Sequence, residues 1–311
     1  MNPAHKNCRK AVFALIFANL IWGIAGPVIK GTLNEVPPYT FLFIRCTVAC
    51  LILIPILVFG INKNQIKLNI KHIPHLFLLG VLGITLNLAL VFEGFKRTSS
   101  LEGVFIGGLG PIIMIVSGIL FLKEKVSKKE VWGIIIALFG TLILIAEPLS
   151  LNGSIKLTGV FGNLLIFLSH LVWTFYVLYS KKIFNHRIHY SPILITTFLF
   201  LTGLITFAPL SFIEYIKDPL VYNTALSFPN FWGILYMGIF SSVAGYFLYE
   251  YALEKIKASE TAIYGYLAPI FAAPFSILLL HESVTNIFLL AASIIILGVI
   301  IMNLPKKEPA T

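Results

Sequence analysis

The sequence is divided into apolar blocks of about twenty residues, the length that an α-helix needs to cross about 30 Å of hydrocarbon. The 311 residues are 58% hydrophobic and only 12% charged. Soluble domains carry charge on about a quarter of their residues, so a soluble globule is excluded. Membrane-spanning strands would alternate apolar and polar residues, whereas these blocks are apolar at both parities. The pattern therefore predicts an all-α integral membrane protein.

Ten blocks are long enough to be predicted spans. They cover residues 11–29, 39–59, 74–95, 101–122, 131–146, 158–179, 191–212, 231–252, 259–280 and 287–303. Seventeen Lys and Arg residues fall on the side of the N-terminus, and five (Lys30, Lys96, Arg97, Lys156 and Lys217) fall on the other side. This bias predicts a cell (inner, cytoplasmic) membrane protein with both termini in the cytoplasm. Because the basic residues form no single patch, no nucleic-acid partner is expected.

A second pattern is a duplication in which residues recur after 158 positions. The pairs are Glu102 with Glu260, Pro111 with Pro269, Glu124 with Glu282, Ser127 with Thr285, and Gly140 with Gly298. Each half holds five spans, and since five is odd, the second half enters the membrane from the opposite side. We therefore expect inverted five-helix repeats at 11–146 and 158–303, joined by a linker at 147–157 and followed by a tail at 304–311. Carriers built in this way bind substrate near the bilayer midplane, between the repeats.

Polar and aromatic side chains inside the spans indicate a candidate cavity. Asn19 and Trp22 share one face of the first span, and His170 and Trp173 occupy the equivalent places in the sixth. Both Trp residues lie well inside their spans, although an interfacial belt is the ordinary alternative for Trp. Asn87 in the third span needs a partner or water, because an unpaired amide in hydrocarbon is costly.

Four ionisable residues lie within the predicted spans: Arg45, Glu93, His170 and Glu250. A charge at the centre of a span costs about 2.5–3.5 kcal/mol on insertion scales, so each is a functional candidate. Glu93 and Glu250 lie near span ends, where we expect hydration. Arg45 is close enough to the interface to snorkel, yet its planar fork suits a substrate carboxylate. His170 is the deepest and is expected to bind substrate or carry a proton, with a neutral, hydrogen-bonded imidazole as the alternative.

Two prolines and a glutamate recur at equivalent places in the halves. Pro111 and Pro269 are predicted to kink their helices, which either shapes the bundle or opens carbonyl groups to the cavity. Glu124 ends its span shortly before Ser127, which has the position of an N-cap, so a structural role at the membrane surface is expected. The predicted substrate-binding cavity is lined by Asn19, Trp22, Arg45, Asn87, His170, Trp173, Tyr246 and Tyr264.

Other classes of function lack their motifs. The sequence has no nucleotide-binding loop with its lysine and no catalytic constellation, so neither an ATP-driven pump nor an enzyme is predicted. His72-x-x-His75 and His186-x-x-His189 stand without acidic or Cys partners, which leaves metal binding as a minor alternative. We predict no metal site and no cofactor.

The motifs together resemble the EamA family of the drug/metabolite transporter superfamily. They are Asn19-Leu20-Ile21-Trp22-Gly23, Leu122-Lys123-Glu124 with Val126-Ser127, the Gly133 and Gly140 pair, and the second copy from Glu282 to Gly298. The resemblance covers nearly the whole chain. It implies ten transmembrane helices in two inverted halves, a central cavity lined by spans one, three, four, six, eight and nine, and export or exchange of small solutes.

The expected function is therefore a secondary transporter, an exporter or exchanger that moves small metabolites by alternating access. Amino acids are the first substrate class to consider. The protein is expected to lie in the lipid bilayer, and coupling to protons is left open. A nucleotide-sugar or sugar-phosphate exchanger is the alternative, but it would need several cavity Lys or Arg residues and only Arg45 is found. A non-transporting membrane interaction protein is the third class, and it would have no need to keep Asn87 and His170 in hydrocarbon.

Overall fold

The computed structural model describes residues 3–66, 68–97, 107, 109–152, 160–185, 190–228, 230–268, 270–271, 274 and 286–303. Every regular element in these ranges is helical. The helices are α1 (Pro3–Leu33), α2 (Pro38–Asn62), α3 (Ile70–Phe95), α4 (Gly110–Leu122), α5 (Lys128–Asn152), α6 (Val160–Asn185), α7 (Pro192–Lys217), α8 (Val221–Leu226), α9 (Asn230–Lys255), α10 (Ala258–Tyr264) and α11 (Asn286–Asn303). The prediction of an all-α chain is confirmed for this part of the molecule.

Among the described residues, six helices are long and apolar enough to cross a membrane. They cover Arg9–Leu33, Pro38–Asn62, Ile70–Phe95, Phe161–Ile183, Pro192–Lys217 and Asn230–Lys255. α4 and the Leu289–Met302 part of α11 are shorter apolar helices. The predicted spans 101–122 and 259–280 lie partly outside the described residues, so the count of ten spans stays a prediction. The predicted tail 304–311 lies wholly outside them.

Side chains that follow α4 cap two helices, α5 and α10. Ser127 Oγ accepts from the Glu130 amide at 3.3 Å and the Glu130 carboxylate accepts from the Ser127 amide at 2.6 Å, which is a capping box at the start of α5. The N-cap predicted at Ser127 is therefore confirmed. The Glu124 carboxylate accepts from the amides of Ala258 at 2.8 Å and Ser259 at 2.9 Å. Glu124 thus caps α10, a helix of the other half of the chain.

The predicted kink at Pro111 and the predicted linker at 147–157 both concern helix ends. Pro111 lies in the first turn of α4, which begins at Gly110, and a proline there removes no helical hydrogen bond. Residues 101–106 and Pro269 lie outside the described residues, so both kinks stay predictions. α5 continues to Asn152, into the stretch 147–157 that was predicted as linker. A helix satisfies its own backbone groups where water is scarce, which favours its continuation.

α3 and α9 each contain a π-helical segment that the sequence analysis did not predict. The segments are Val81–Leu86 in α3 and Met237–Gly245 in α9. Shifted by 158 positions, the first falls on 239–244, inside the second. A π turn holds one extra residue and frequently marks a functional site. In α9 the carbonyl of Ser241 accepts a hydrogen bond from Trp22 Nε1 at 3.2 Å.

The helices pack in a regular set of pairs. α1 packs on α9, α3 on α6, α2 on α7, α4 on α10, and α5 on α11. Glycines allow the closest approach: a Cβ atom added at Gly298 would lie 2.6 Å from the Gly133 carbonyl oxygen, and one at Gly140 would lie 2.9 Å from that of Ala291. Helices in lipid associate through such small residues. The interior that these pairs enclose contains the candidate site.

Candidate functional site

Four aromatic rings from α1, α6 and α9 meet in the interior and are called here the aromatic cluster: Trp22, Trp173, Tyr246 and Tyr249. The Trp22 ring stands edge-on to Trp173 at 5.9 Å and to Tyr246 at 5.3 Å between centroids. Tyr249 lies 5.4 Å from Trp22 and 5.3 Å from Trp173. Gly245 makes room, since a Cβ atom there would lie 2.8 Å from Trp22 Nε1. The rings touch, so a ligand reaches their centre only if these helices separate.

Arg45 of α2 is buried beside this cluster with 2% of its surface exposed, so it does not snorkel. Its Nε donates to Ser242 Oγ at 2.7 Å and its Nη2 donates to Ser241 Oγ at 3.3 Å. Both serines belong to the π segment of α9. Among the described residues no carboxylate forms an ion pair with Arg45. Arginine stays charged in proteins, so this guanidinium can still attract an anion.

Glu250 of α9 is fully buried, with 0% of its surface exposed. Tyr176 Oη donates to one carboxylate oxygen, and Ser180 Oγ donates to the other at 2.9 Å. The expectation that Glu250 is hydrated because it lies near a span end is therefore wrong. Tyr176 and Ser180 of α6 cover it, and the sequence pattern of α9 alone gives no sign of that cover.

The two predicted asparagines bind backbone carbonyl groups. Asn87 Nδ2 donates to the Ser169 carbonyl oxygen at 2.9 Å and thereby links α3 to α6. Asn87 follows the π segment of α3 directly, as Tyr246 follows that of α9. Asn19 Nδ2 donates to the Leu15 carbonyl oxygen at 2.8 Å within its own helix. Each amide has the partner that its burial demands, and a role in substrate binding stays a prediction for both.

His170 and Tyr264 lie on the side of α4 and α10. His170 is partly buried against Gly110, where an added Cβ atom would lie 2.6 Å from Nδ1. Tyr264 is buried near the end of α10. Their part in a cavity stays a prediction. Within the described ranges no three His, Cys, Asp or Glu side chains are grouped as a metal site would need, and His186 and His189 lie outside those ranges.

A cleft of about 350 Å³ opens between α3 and α6, away from the aromatic cluster. It is lined by Tyr39, Leu86, Ala89, Leu90, Glu93, Arg97, Phe161 and Leu165. Glu93 and Arg97 form an ion pair on its rim, and the Arg97 side chain is 44% exposed. Glu93 lines this open cleft, which agrees with the expectation that it is hydrated. On the topology predicted from the charges, the cleft faces the outer side.

Five polar residues of the site are not among those predicted from the sequence. Tyr249 and Tyr176 could have been found, because each follows a predicted site residue by three positions and therefore shares its helix face. Ser242, four positions before Tyr246, and Ser180, seven positions after Trp173, share those faces too, but the serine residue type gives no signal of a site. Ser241 has neither spacing. Serine is common in membrane helices and usually bonds to its own backbone, so only the fold shows that these hydroxyl groups face charged partners.

Comparisons with known proteins agree with one another. The model of the EamA-like transporter family matches residues 9–146 and 160–304. The uncharacterized transporter YyaM of Bacillus subtilis (strain 168) is 27% identical over 300 residues, 94% of each chain. An uncharacterized transporter of Archaeoglobus fulgidus is 26% identical over 281 residues, 90% of this chain and 94% of the relative. A WAT1-related protein of Arabidopsis thaliana is 25% identical over 287 residues, 84% of this chain and 76% of the relative.

A solved crystal structure has the same fold. Its TM-score with this chain is 0.74, and the match covers 94% of this chain and 96% of the other. The two sequences are only 17% identical, so the likeness concerns the fold alone.

Proposed function

From the premise that this chain belongs to the EamA-like transporter family, we propose that it is a secondary carrier of small amphipathic metabolites, with amino acids as the substrate class. The family and the six apolar helices support a multi-pass membrane transporter of small molecules, and the relatives are named transporters. The resemblance drawn from the motifs is confirmed. The substrate class, the direction, the membrane and the mechanism are our proposal.

The observation that carries the proposal is the buried Arg45 guanidinium. It lies beside the aromatic cluster and binds hydroxyl groups of α9, without a carboxylate partner among the described residues. A charge removed from water needs compensation, and a planar guanidinium binds a carboxylate through two parallel hydrogen bonds. The carboxylate of an amino acid would supply this compensation, while Trp22, Trp173 and Tyr246 would contact its side chain.

Alternating access would follow from two inverted repeats, at 11–146 and 158–303. Two features support that arrangement: the family model matches twice along the chain, and π segments occur at equivalent places in α3 and α9. The helix pairs support it as well, because exchanging the halves turns the α1–α9 pair into the α6–α3 pair. The excess of Lys and Arg on one side supports a cytoplasmic membrane with both termini in the cytoplasm.

A nucleotide-sugar or sugar-phosphate exchanger is supported less well. Phosphate groups need several cationic partners, and Lys181 is the other buried cation among the described residues. Its Nζ donates to the carbonyl oxygens of Leu253 and Ile256, both at 2.6 Å, so it is held at the end of α9. Among the described residues, Arg45 is then the one buried cation beside the aromatic cluster. A single cation suits a carboxylate, which carries one negative charge.

A thermal-shift screen of the purified protein tests the substrate class, because a ligand that binds the folded state raises its apparent stability. The panel contains amino acids, nucleobases and sugar phosphates. We expect stabilisation by at least one amino acid, and at a ligand concentration near the wild-type Kd we expect Arg45→Leu to abolish it. Lys63→Leu is the matched control: it removes a basic residue from the exposed end of the same helix and should keep the shift.

The screen separates the alternatives. If only phosphorylated sugars stabilise the protein, the amino-acid carrier is wrong and the sugar-phosphate exchanger takes its place. An amino-acid shift that survives Arg45→Leu would leave the substrate class standing and remove Arg45 from the site.

A further inference from the structure

We propose that Glu250 is the proton-binding site that couples transport to a pH gradient, with Tyr176 and Ser180 as its positioning residues. The proposal rests on the proposed carrier function and names its coupling site. Sequence analysis left proton coupling open and offered His170 for it. The contacts of Glu250 make it the better candidate.

Among the described residues, the Glu250 carboxylate is held by hydroxyl groups and not by a direct ion pair. Both donors to Glu250 are neutral hydroxyl groups, Tyr176 Oη and Ser180 Oγ. Within the described part of the chain no Lys, Arg or His forms an ion pair with it. An ionised carboxylate in this place depends on two hydrogen bonds and on the Lys181 charge, which acts without direct contact, whereas a protonated one carries no charge that needs solvation. Either state can exist here, which a proton carrier requires.

Four other titratable groups of the described residues surround Glu250. On α6 these are Tyr176 and Lys181, and on α9 they are Tyr246 and Tyr249. The Lys181 ammonium is bound to two carbonyl groups at the end of α9 rather than to the carboxylate. α1, α2, α7, α8 and α10 also pack on α9. α2 brings Arg45, whose guanidinium is bound to Ser241 and Ser242, and among the described residues no charged side chain of these five helices acts on Glu250.

The carboxylate of Glu250 also lies where a proton could alter a helix contact. It belongs to α9, and both of its donors belong to α6, the two helices that supply Trp173, Tyr246 and Tyr249 to the aromatic cluster. Protonation replaces two charge-assisted hydrogen bonds by weaker neutral ones, so separation of α6 from α9 becomes easier. Glu250 is five residues from the end of α9 at Lys255, about 7.5 Å along the helix, which is a short path to the cytoplasmic surface on the predicted topology.

The coupling test uses proteoliposomes with the membrane potential held at zero by equal potassium concentrations and valinomycin. The substrate is a labelled amino acid that wild type exchanges. With a difference of one pH unit and one proton per substrate, wild type should accumulate the label up to about tenfold. Glu250→Gln should still exchange the label but should show no accumulation driven by the gradient. Glu254→Gln, one turn later on the same helix and partly exposed, should accumulate it as wild type does.

Infrared spectroscopy tests the proton site without any substrate. The wild-type pH titration should contain a carboxylic-acid C=O band that is missing in Glu250→Gln and present in Glu254→Gln. If Glu250→Gln fails to fold, Tyr176→Phe serves instead. It removes a donor to the carboxylate, so the midpoint of that band should move to higher pH.

The outcomes separate the two proposals. If no amino acid is exchanged by wild type, the proposed substrate class fails and the infrared titration still decides on Glu250. If amino acids are exchanged and Glu250→Gln keeps the tenfold accumulation, Glu250 is not the coupling site. Loss of pH coupling in His170→Gln with coupling intact in Glu250→Gln would transfer the role to His170. Accumulation driven by a sodium gradient in place of the pH gradient would also overturn the proposal.

Discussion

Arg45 and Glu250 are both ionisable, both buried and both bound by hydroxyl groups, yet only Glu250 can lose its charge. Arg45 donates to Ser241 and Ser242 and stays charged at every accessible pH. Glu250 accepts from Tyr176 and Ser180 and can lose its charge by taking up one proton. In the proposed mechanism the permanent cation would attract an anionic group of the substrate, and the acid that can be neutralised would respond to pH.

The aromatic cluster lies between these two regions. Tyr246 is within electrostatic reach of both Arg45 and Glu250, and its ring touches Trp22 and Trp173. Movement that opens the cluster therefore alters the helix contacts on which both charged groups depend. A carrier needs such a connection, because substrate binding and proton binding must influence each other.

The largest expected effect is that of Arg45→Leu on binding. Loss of charge-assisted hydrogen bonds to the substrate carboxylate should weaken binding by about 2 kcal/mol, or roughly thirtyfold. Arg45→Lys keeps the charge but loses the fork, so its affinity should lie between the two. Isothermal titration at two pH values measures both, and the loss should be the same at each pH. A loss that varies with pH would break the contrast with Glu250.

Trp22→Phe tests the cluster between the two sites. The change removes the hydrogen bond to the Ser241 carbonyl and reduces three ring contacts, so it should lower stability by about 1–2 kcal/mol. Trp232→Phe is the matched control, because Trp232 is 57% exposed and should tolerate the change within about 0.5 kcal/mol. Thermal unfolding in detergent measures both. Equal effects would mean that the cluster is not a specific contact.

Tyr176→Phe should move the pH dependence of transport without removing it. Without its hydroxyl donor the charged form of Glu250 is less favourable, so the midpoint of the pH–rate profile should shift upward by about one pH unit. The measurement is initial exchange rate against pH. An unchanged midpoint would show that Glu250 does not set the profile.

The serines that hold Arg45 should give the smallest effects. Ser242→Ala removes the 2.7 Å bond and should lower stability by about 1 kcal/mol, whereas Ser241→Ala removes the 3.3 Å bond and should cost about half of that. Thermal unfolding of the two single variants decides the order. If Ser241→Ala is the more damaging change, the Arg45 contacts differ from those described.

Much of the fold follows from the sequence, because twenty-residue apolar blocks leave few alternatives in a bilayer. The capping box at Ser127 and the close approach at Gly140 could also be predicted from local rules. The π segments could not, since a single inserted residue leaves no mark in an apolar pattern. Their positions decide where Ser241 and Ser242 point, and with them the partners of Arg45.

The candidate site shows the same limit. Trp22 and Trp173 were predicted from position and face, Tyr246 was predicted as a further aromatic residue of the cavity, and the three rings do meet. Distance from a span end was a poor guide for Glu250, because burial depends on what the neighbouring helix supplies at that depth. Long-range partners such as Ser180 are set by helix packing, which no single-helix pattern contains.

The most direct test of the account is counterflow in proteoliposomes that contain the purified protein. Vesicles are loaded with an unlabelled amino acid, and uptake of the same amino acid in labelled form is followed over time. The account predicts saturable uptake that requires the internal amino acid, is absent in empty vesicles and falls roughly thirtyfold in Arg45→Leu at low substrate concentration. Counterflow of sugar phosphates without any of amino acids, or amino-acid counterflow that Arg45→Leu leaves unchanged, would contradict it.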